Sequence, residues 1–363
     1  MSMPLKLRPT TDCQLDVLSF GECMIRLSPP GHQRIELTPV FEAWAGGGEY
    51  NVSYALSRLG LRTAWVSRLV DNPLGWFIRN HARTSGMDLS HVVWAPYDGV
   101  GKADRIGLNF TEVGIGVRGS VTLYDRGHSA AAHIKPGDID WEQIFNGRGV
   151  RWFHTGGICT ALSDSSAAVV KEAMRAAHEA GTIVSYDLNF RSKLWSSEKA
   201  IAVTSELVPF IDVLIGNEED FQKVLGFRVE GVDESLKKLP VEGYKSMAAR
   251  VVEKHPHIQA VGTTLREVVS GLVNNWSAIL YYDGGFYQST RYEGLEIEDR
   301  VGGGDGFCSG VIYGFLAGMP PQDAVNLGAA HGALLQSTRG DTSMVTWDEV
   351  KHVMKGGSAR IKR

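Results

Sequence analysis

The chain has 363 residues, with 37 Lys and Arg against 41 Asp and Glu, a formal net charge of −4 with His taken as neutral. Hydrophobic residues at 43% and charged residues at 21% are ordinary globular values and exclude a disordered or collagen-like chain. The slight acidity argues against general nucleic-acid binding, which needs a basic face to displace counterions. No run of about 18 apolar residues marks a membrane span. The N-terminus lacks the apolar core of a signal peptide, and Cys13, Cys23, Cys159 and Cys308 are scattered, which fits reduced thiols in the cytoplasm.

In chain order, residues 1–14 read as a loose tail ahead of a single domain over 15–355. Asp16–Glu22 reads as a first strand ending in a Gly-acid turn. Arg34–Trp44 alternates polar and apolar residues, which predicts a half-buried strand. Gly46-Gly47-Gly48 follows, and Val52, Ala55, Leu56 and Leu59 at helical spacing predict a helix stopped by Gly60. One strand and one helix alternate over about 62–93. Ile106–Phe110 and Val121–Tyr124 predict short strands joined by a Gly-rich turn. Beyond residue 150, strands at Arg151–His154, Thr182–Asp187, Ile211–Ile215 and Gln259–Thr263 alternate with helices such as Ser165–Ala180 and Tyr244–His255. This alternation predicts an α/β fold, a mainly parallel Rossmann-like sheet flanked by helices. Insertions at about 22–44 and 97–130 interrupt it and read as a small β-sheet lid.

Gly114-Ile115-Gly116-Val117-Arg118-Gly119 has the spacing of a dinucleotide turn. A strand-like segment follows it, so no helix N-terminus stands ready for a pyrophosphate, and it reads as a hairpin turn. The sequence holds no Walker A loop, His-Glu-x-x-His helix or Gly-x-Ser-x-Gly elbow.

The stretch that points to chemistry is Asp299-Arg300-Val301-Gly302-Gly303-Gly304-Asp305, leading into a helix with apolar Phe307, Val311, Ile312, Phe315 and Leu316. Glycines let bare N–H groups approach an anion, and the helix dipole favours negative charge there. Asp305 beside such donors suits phosphoryl transfer, with the carboxylate taking the proton of an attacking hydroxyl. At a helix N-terminus it should stay ionised and be a weak base. The same spacing is equally that of a tight turn with Asp305 as N-cap.

Gly302-Gly303-Gly304-Asp305 resembles the Gly-Ala-Gly-Asp signature of ribokinase-like (PfkB-type) carbohydrate kinases. Gly46-Gly47-Gly48-Glu49-Tyr50-Asn51, with Leu59-Gly60, resembles that family's N-terminal Gly-Gly-x-x-x-Asn signature. The resemblance runs from about residue 16 to 350. Within the family it is nearest the 2-keto-3-deoxygluconate kinases, through Phe20-Gly21-Glu22-Cys23-Met24, Tyr124-Asp125-Arg126-Gly127-His128-Ser129-Ala130 and Asp187-Leu188-Asn189-Phe190-Arg191-Ser192-Lys193-Leu194-Trp195. Asn217-Glu218-Glu219-Asp220 and Asp299-Arg300-Val301 add to the likeness.

The resemblance implies a ribokinase-like fold and MgATP-dependent phosphorylation of the C6 hydroxyl of 2-keto-3-deoxygluconate. It implies Asp305 as base and the Gly302, Gly303 and Gly304 amides as an anion hole. Gly47, Gly48 and Asn51 would contact sugar hydroxyls, and Asn109 stands where the family places a substrate-facing Tyr. Tyr124 and Arg126 would reach from the lid, with Arg126 gripping the substrate carboxylate, and Arg191 would lie near substrate and phosphate. Asn217 and Asp220 would organise Mg²⁺ through water. Thr264, Leu265, Asn326 and His331 would line the nucleotide site. Simpler roles compete: Asn51, Asn217 and Asp220 as helix caps, Arg126 as a solvated cation, Arg191 in a structural ion pair. Gly303 and Gly306 replace residues the family usually has as Ala and as Ser or Ala. The alternatives are a kinase for fructose or 5-keto-2-deoxygluconate, or a catalytically silent sugar-acid or nucleotide sensor. Exposed lid strands predict a homo-oligomer, a lid-mediated dimer. A monovalent cation such as K⁺ stays open.

Overall fold

Strands and helices alternate along the computed structural model, which describes residues 4–227 and 241–357. The chain opens with β1 (Leu15–Phe20), β2 (Met24–Ser28) and β3 (Glu42–Gly46), which runs into helix α1 (Gly48–Arg58). Then come β4 (Thr63–Val66), β5 (Arg68–Val70), α2 (Pro73–Arg83), β6 (Val93–Ala95) and the hairpin β7 (Leu108–Glu112) and β8 (Val121–Asp125). The middle holds β9 (Val150–Gly156), α3 (Gly157–Ala161), α4 (Asp164–Glu179), β10 (Ile183–Asp187), α5 (Ser197–Leu207), β11 (Val213–Gly216), α6 (Glu218–Leu225) and α7 (Val241–Lys254). The last part holds β12 (Ala260–Val268), β13 (Val273–Tyr282), β14 (Gly285–Gln288), β15 (Tyr292–Glu296), α8 (Gly303–Leu316), α9 (Pro321–Leu335) and α10 (Trp347–Met354).

The large sheet has the order β14-β13-β12-β11-β10-β9-β1-β4, with β15 beside β13. From β4 to β12 every pairing is parallel; β13 joins β12, β14 and β15 antiparallel. Both faces are covered, so the strands are near-continuous apolar runs and neighbouring residues enter different cores. Val17, Trp152, Ile183 and Val213 pack with Phe307 and Val311 of α8 and Val325 of α9. Leu18, Phe153, Val184 and Leu214 pack with Val169 and Met174 of α4 and Met247 of α7. Helices α8 and α9 meet along a stripe of small residues: a Cβ on Gly310 would stand 2.6 Å from the Cα of Gly328.

The small sheet has the order β3-β2-β7-β8. The predicted strand over Arg34–Trp44 survives only as β3; upstream the chain makes a 3₁₀ turn at Ile35–Leu37. Pro39 cannot donate to a ladder, and Arg34 Nη1 and the Ile35 amide bond the Glu112 carboxylate at 3.0 and 3.2 Å instead. The Gly114–Gly119 segment is the turn between β7 and β8, closed by an Ile115–Arg118 bridge with Gly116 at φ +60°.

Residues 4–14 are anchored where a loose tail was expected; residues 1–3 lie outside the described residues. The Leu5 amide donates to the Tyr282 hydroxyl at 3.1 Å, Arg8 Nη1 donates to Phe145 O at 2.7 Å, and Leu5 and Leu7 pack on the core. These anchors are single side chains without periodicity, so no sequence pattern marks them. Among the described residues no helix is long and apolar enough to cross a membrane.

Candidate active site

A cavity of about 420 Å³ opens where the parallel strands of the large sheet end at their C-termini, with the small sheet over it. Open α/β sheets bind ligands at this edge. The two glycine loops, 46–48 and 302–304, line it together, although they lie some 250 residues apart.

Gly302 precedes α8 at φ +87°, ψ −9°, a left-handed conformation natural to glycine, and a Cβ there would stand 2.7 Å from the Asp341 carbonyl oxygen. Around Gly304 nothing lies within 4 Å of where a Cβ would be. The first amides of α8 have no acceptor within the helix, so this open side presents donors and the positive end of the dipole.

Asp305 is in the first turn of α8. Its Oδ2 accepts from Asn51 Nδ2 at 2.7 Å, and Asn51 Oδ1 in turn accepts from the Gly47 amide at 3.3 Å. Asn51 is therefore no N-cap; Gly47 holds that position, and Asn51 ties one glycine loop to the carboxylate of the other. Burial pushes the Asp305 carboxyl up to about 6, although the Asn51 bond and the Arg191 charge both lower it. Desolvation outweighs the helix dipole, so Asp305 is a stronger base than its helix position implies.

Asp187, at the end of β10, and Asp220, in the first turn of α6, line the same cavity. Burial, with Asp220 and Asp305 as like charges nearby, raises Asp187 well above the usual carboxylate range. Asp220 is pushed up to about 6 by burial. Its two oxygens accept from the Phe190 and Asn217 amides at 2.8 and 2.9 Å, and Asn217 Oδ1 accepts from the Asp220 amide at 3.0 Å. Asn217 and Asp220 thus form a capping box for α6 while facing the cavity. Arg191 Nη1 donates to Phe190 O at 2.8 Å, and no carboxylate among the described residues lies within ion-pair distance of it. Its charge lowers Asp187, Asp220 and Asp305 alike.

On the small-sheet side Asn109, Tyr124 and Arg126 line the cavity. Arg126 is not a free cation: Nε donates to Glu22 Oε2 at 2.9 Å, Nη2 bonds the same oxygen, and the guanidinium stands 5.4 Å from the Tyr124 ring centre. A second cavity of about 220 Å³, lined by Tyr124, Arg126, Arg191 and Lys193, adjoins the first.

Gly47, Gly48, Asn51, Asn109, Tyr124, Arg126, Arg191, Asn217, Asp220, Thr264, Gly302, Gly303, Gly304 and Asp305 are thus brought together. Leu265, Asn326 and His331 are not. Strand alternation sends Leu265 into the core behind Thr264. Asn326 Oδ1 caps the Thr290 amide at 3.0 Å. His331 is buried between Ser309 and Ser343, at 3.0 and 2.7 Å. Asp187 lines the cavity from the end of its strand, where the predicted parallel sheet places a ligand edge, and Glu22, Asn189 and Asp341 line it with no mark in the sequence of a site role. Asn189 carries a signal only in its backbone, a non-glycine residue at φ +33°.

A family model described as "pfkB family carbohydrate kinase" matches residues 14–252 and 277–348. The chain is 33% identical over 348 residues to a 2-dehydro-3-deoxygalactonokinase of Haloferax volcanii, covering 96% of this chain and 99% of that one. The structure of a 2-dehydro-3-deoxygluconokinase from Thermotoga maritima superposes with a TM-score of 0.88 at 39% identity, covering 94% of this chain and all of that one. A ribokinase II-type protein of E. coli, solved with ATP and Mg²⁺, shares the fold at a TM-score of 0.74 and 17% identity over 94% of this chain and 99% of that one. The family model spans most of the chain, and the chain belongs to the pfkB family of carbohydrate kinases.

Proposed function

We propose that the protein transfers the terminal phosphoryl group of ATP to the C6 hydroxyl of 2-keto-3-deoxygluconate, giving 2-keto-3-deoxy-6-phosphogluconate. The observation that carries this is Asp305, held by Asn51 at 2.7 Å where the two glycine loops meet. An attacking hydroxyl placed by the 46–48 loop would meet a carboxylate ionised at neutral pH, with the α8 amides beside it for the phosphoryl oxygens. The proton passes from the hydroxyl to Asp305 as the new O–P bond forms and the bond from the terminal phosphorus to the bridging oxygen breaks, with ADP leaving.

The sugar-acid part rests on charge. Arg191 is a cavity cation without a carboxylate partner among the described residues, and a carboxylate ligand supplies one. Arg126 is largely neutralised by Glu22, so its role becomes orientation of the substrate, with Tyr124, more than charge pairing. A neutral sugar leaves Arg191 unpaired. The small sheet would act as a lid that excludes water and limits ATP hydrolysis.

Three cavity carboxyls, the buried Asp220 and the half-buried Asp187 and Asp305, are each raised by desolvation, and this suits a cation brought in with the nucleotide. Among the described residues no three acidic, His or Cys side chains converge closely enough to hold a metal alone. Both Asp220 oxygens already accept backbone amides, so Asp220 and Asn217 would reach Mg²⁺ through water, with ATP oxygens completing the shell. When bound, the ion neutralises phosphate charge.

The test is purified protein with MgATP and a panel of 2-keto-3-deoxygluconate, 2-keto-3-deoxygalactonate, 5-keto-2-deoxygluconate and fructose, followed by ³¹P NMR. A phosphomonoester with 2-keto-3-deoxygluconate, lost in Arg191→Ala, is the expected result. Product from fructose alone would discard the sugar-acid argument and keep the kinase.

A further inference from the structure

Strand β2 carries a residue that its place in the small sheet does not explain. Arg26 is 1% exposed, one of the largest fully buried side chains of the protein. Its Nη1 and Nη2 donate to Asp299 Oδ1 and Oδ2 at 3.1 and 2.5 Å, and Nη1 stands 3.3 Å from Asp341 Oδ1. Asp299 and Asp341 are themselves buried, so one guanidinium serves two carboxylates away from water. Such a cluster is a poor way to gain stability, because apolar residues of similar volume often do as well. Its position says more.

Both partners press on the glycine loops. Asp299 Oδ1 accepts from the Val301 amide at 3.2 Å and Oδ2 from the Gly340 amide at 3.3 Å, fixing the chain just before Gly302. The Asp341 backbone packs on Gly302, and its carboxylate lies against Gly46: a Cβ on Gly46 would stand 2.0 Å from Asp341 Oδ2. The cluster therefore touches the entrance of both loops, while Arg26 itself stands behind the cavity lining. Arg26 comes from the small sheet; Asp299 and Asp341 come from the loops on either side of α8 and α9.

We propose that Arg26 is a positioning residue for phosphoryl transfer: its guanidinium is the fixed internal cation that holds Asp299 and Asp341 together, and through them keeps the 46–48 and 302–304 loops in register. This rests on the kinase reading of the site. The reacting groups most sensitive to its loss are the α8 amides and Asp305, which must meet the transferring group within a fraction of an ångström. A displacement of about 1 Å costs on the order of 100-fold in rate.

The test uses the full chain with MgATP and the sugar acid that the wild type phosphorylates. A wild type that phosphorylates nothing removes the kinase reading itself, and is seen before any variant is made. Arg26→Ala, shown to be folded by a cooperative thermal transition, is expected to lose roughly 100-fold in kcat, with both KM values within about threefold of wild type. Added guanidinium ion should recover about tenfold of that loss, and equal NaCl none, because only the former restores the planar fork on Asp299 beside Asp341. A folded Arg26→Ala that keeps its kcat, shifts only KM, or fails to respond to guanidinium overturns the proposal. Should Arg26→Ala not fold, Arg26→Lys decides alone, since an ammonium lacks the fork that grips Asp299 with two hydrogen bonds while facing Asp341. A kcat about tenfold lower at unchanged KM supports the proposal, and a wild-type kcat overturns it.

Discussion

Asn51→Leu removes the donor to Asp305 while keeping a branched side chain of similar size. The lost bond is short, 2.7 Å, half-buried, and aimed at a carboxylate. A hydrogen bond to a charged group contributes about 1.5–3 kcal/mol, which at about 1.4 kcal/mol per pKa unit raises Asp305 from about 6 to about 7–8. The base must be ionised to work, so the acid limb of kcat/KM moves up by the same amount. For a limb at about 7.5, activity relative to wild type falls about fourfold at pH 7 and about fifteenfold at pH 6, and returns near wild type above about pH 9. The assay is initial velocity against sugar acid from pH 5 to 9.5 at saturating MgATP. A limb that stays near pH 6 beneath a uniform loss at every pH would refute the argument, because Asn51 would then act by contact with substrate alone.

Gly310→Ala puts a methyl group 2.6 Å from the Gly328 Cα, so α8 and α9 must separate. Overpacking costs about 1–3 kcal/mol, less about 1 kcal/mol regained from the helix propensity of Ala, so the urea midpoint should fall; a rise would contradict the close-packed stripe. Stability of the ligand-free protein should decline as pH rises from 6.5 to 8.5. Burial pushes Glu49 up to about 8 and Asp341 up to about 7, so the folded protein holds protons there that the unfolded chain has already released. His154 and His331, lowered to about 3 and about 4 by burial, act with the opposite sign while the unfolded imidazole titrates around pH 6.5, and offset roughly 0.8 kcal/mol at the low end of the window. Linkage at about 1.4 kcal/mol per proton per pH unit gives a net loss of roughly 2 kcal/mol over this window, and urea unfolding whose stability is flat or rises with pH would sink it.

The parts that were legible in the sequence are those where chemistry restricts residue type. A loop whose backbone lines a cavity at a helix start needs small residues, so Gly302–Gly304 and Asp305 stand out as cavity-lining residues. Buried parallel strands need continuous apolar runs, so β9, β10, β11 and β12 were visible to within a few residues at their starts. What was hidden depends on partners far away in the chain. Arg126 looks like a free cation until Glu22, 104 residues before it, closes on it. β2 is masked by Arg26, a charged residue at a buried position whose counter-charges come from Asp299 and Asp341. Thr264 and Leu265 are adjacent in the sequence, yet consecutive residues of a strand face opposite sides, and only Thr264 reaches the cavity. His331 lies on a helix whose inner face is covered by α8, a fact of packing that its spacing does not carry.

The most direct measurement compares wild type and Asp305→Asn in a single turnover with MgATP and 2-keto-3-deoxygluconate, alongside calorimetric binding of each ligand. Asn keeps the shape and the contact with Asn51 but cannot take a proton. The account predicts that phosphorylation falls by at least about 1,000-fold while both ligands still bind within a fewfold of wild type. Phosphorylation at an unchanged rate in Asp305→Asn would contradict it, and the proton would have to leave by another route.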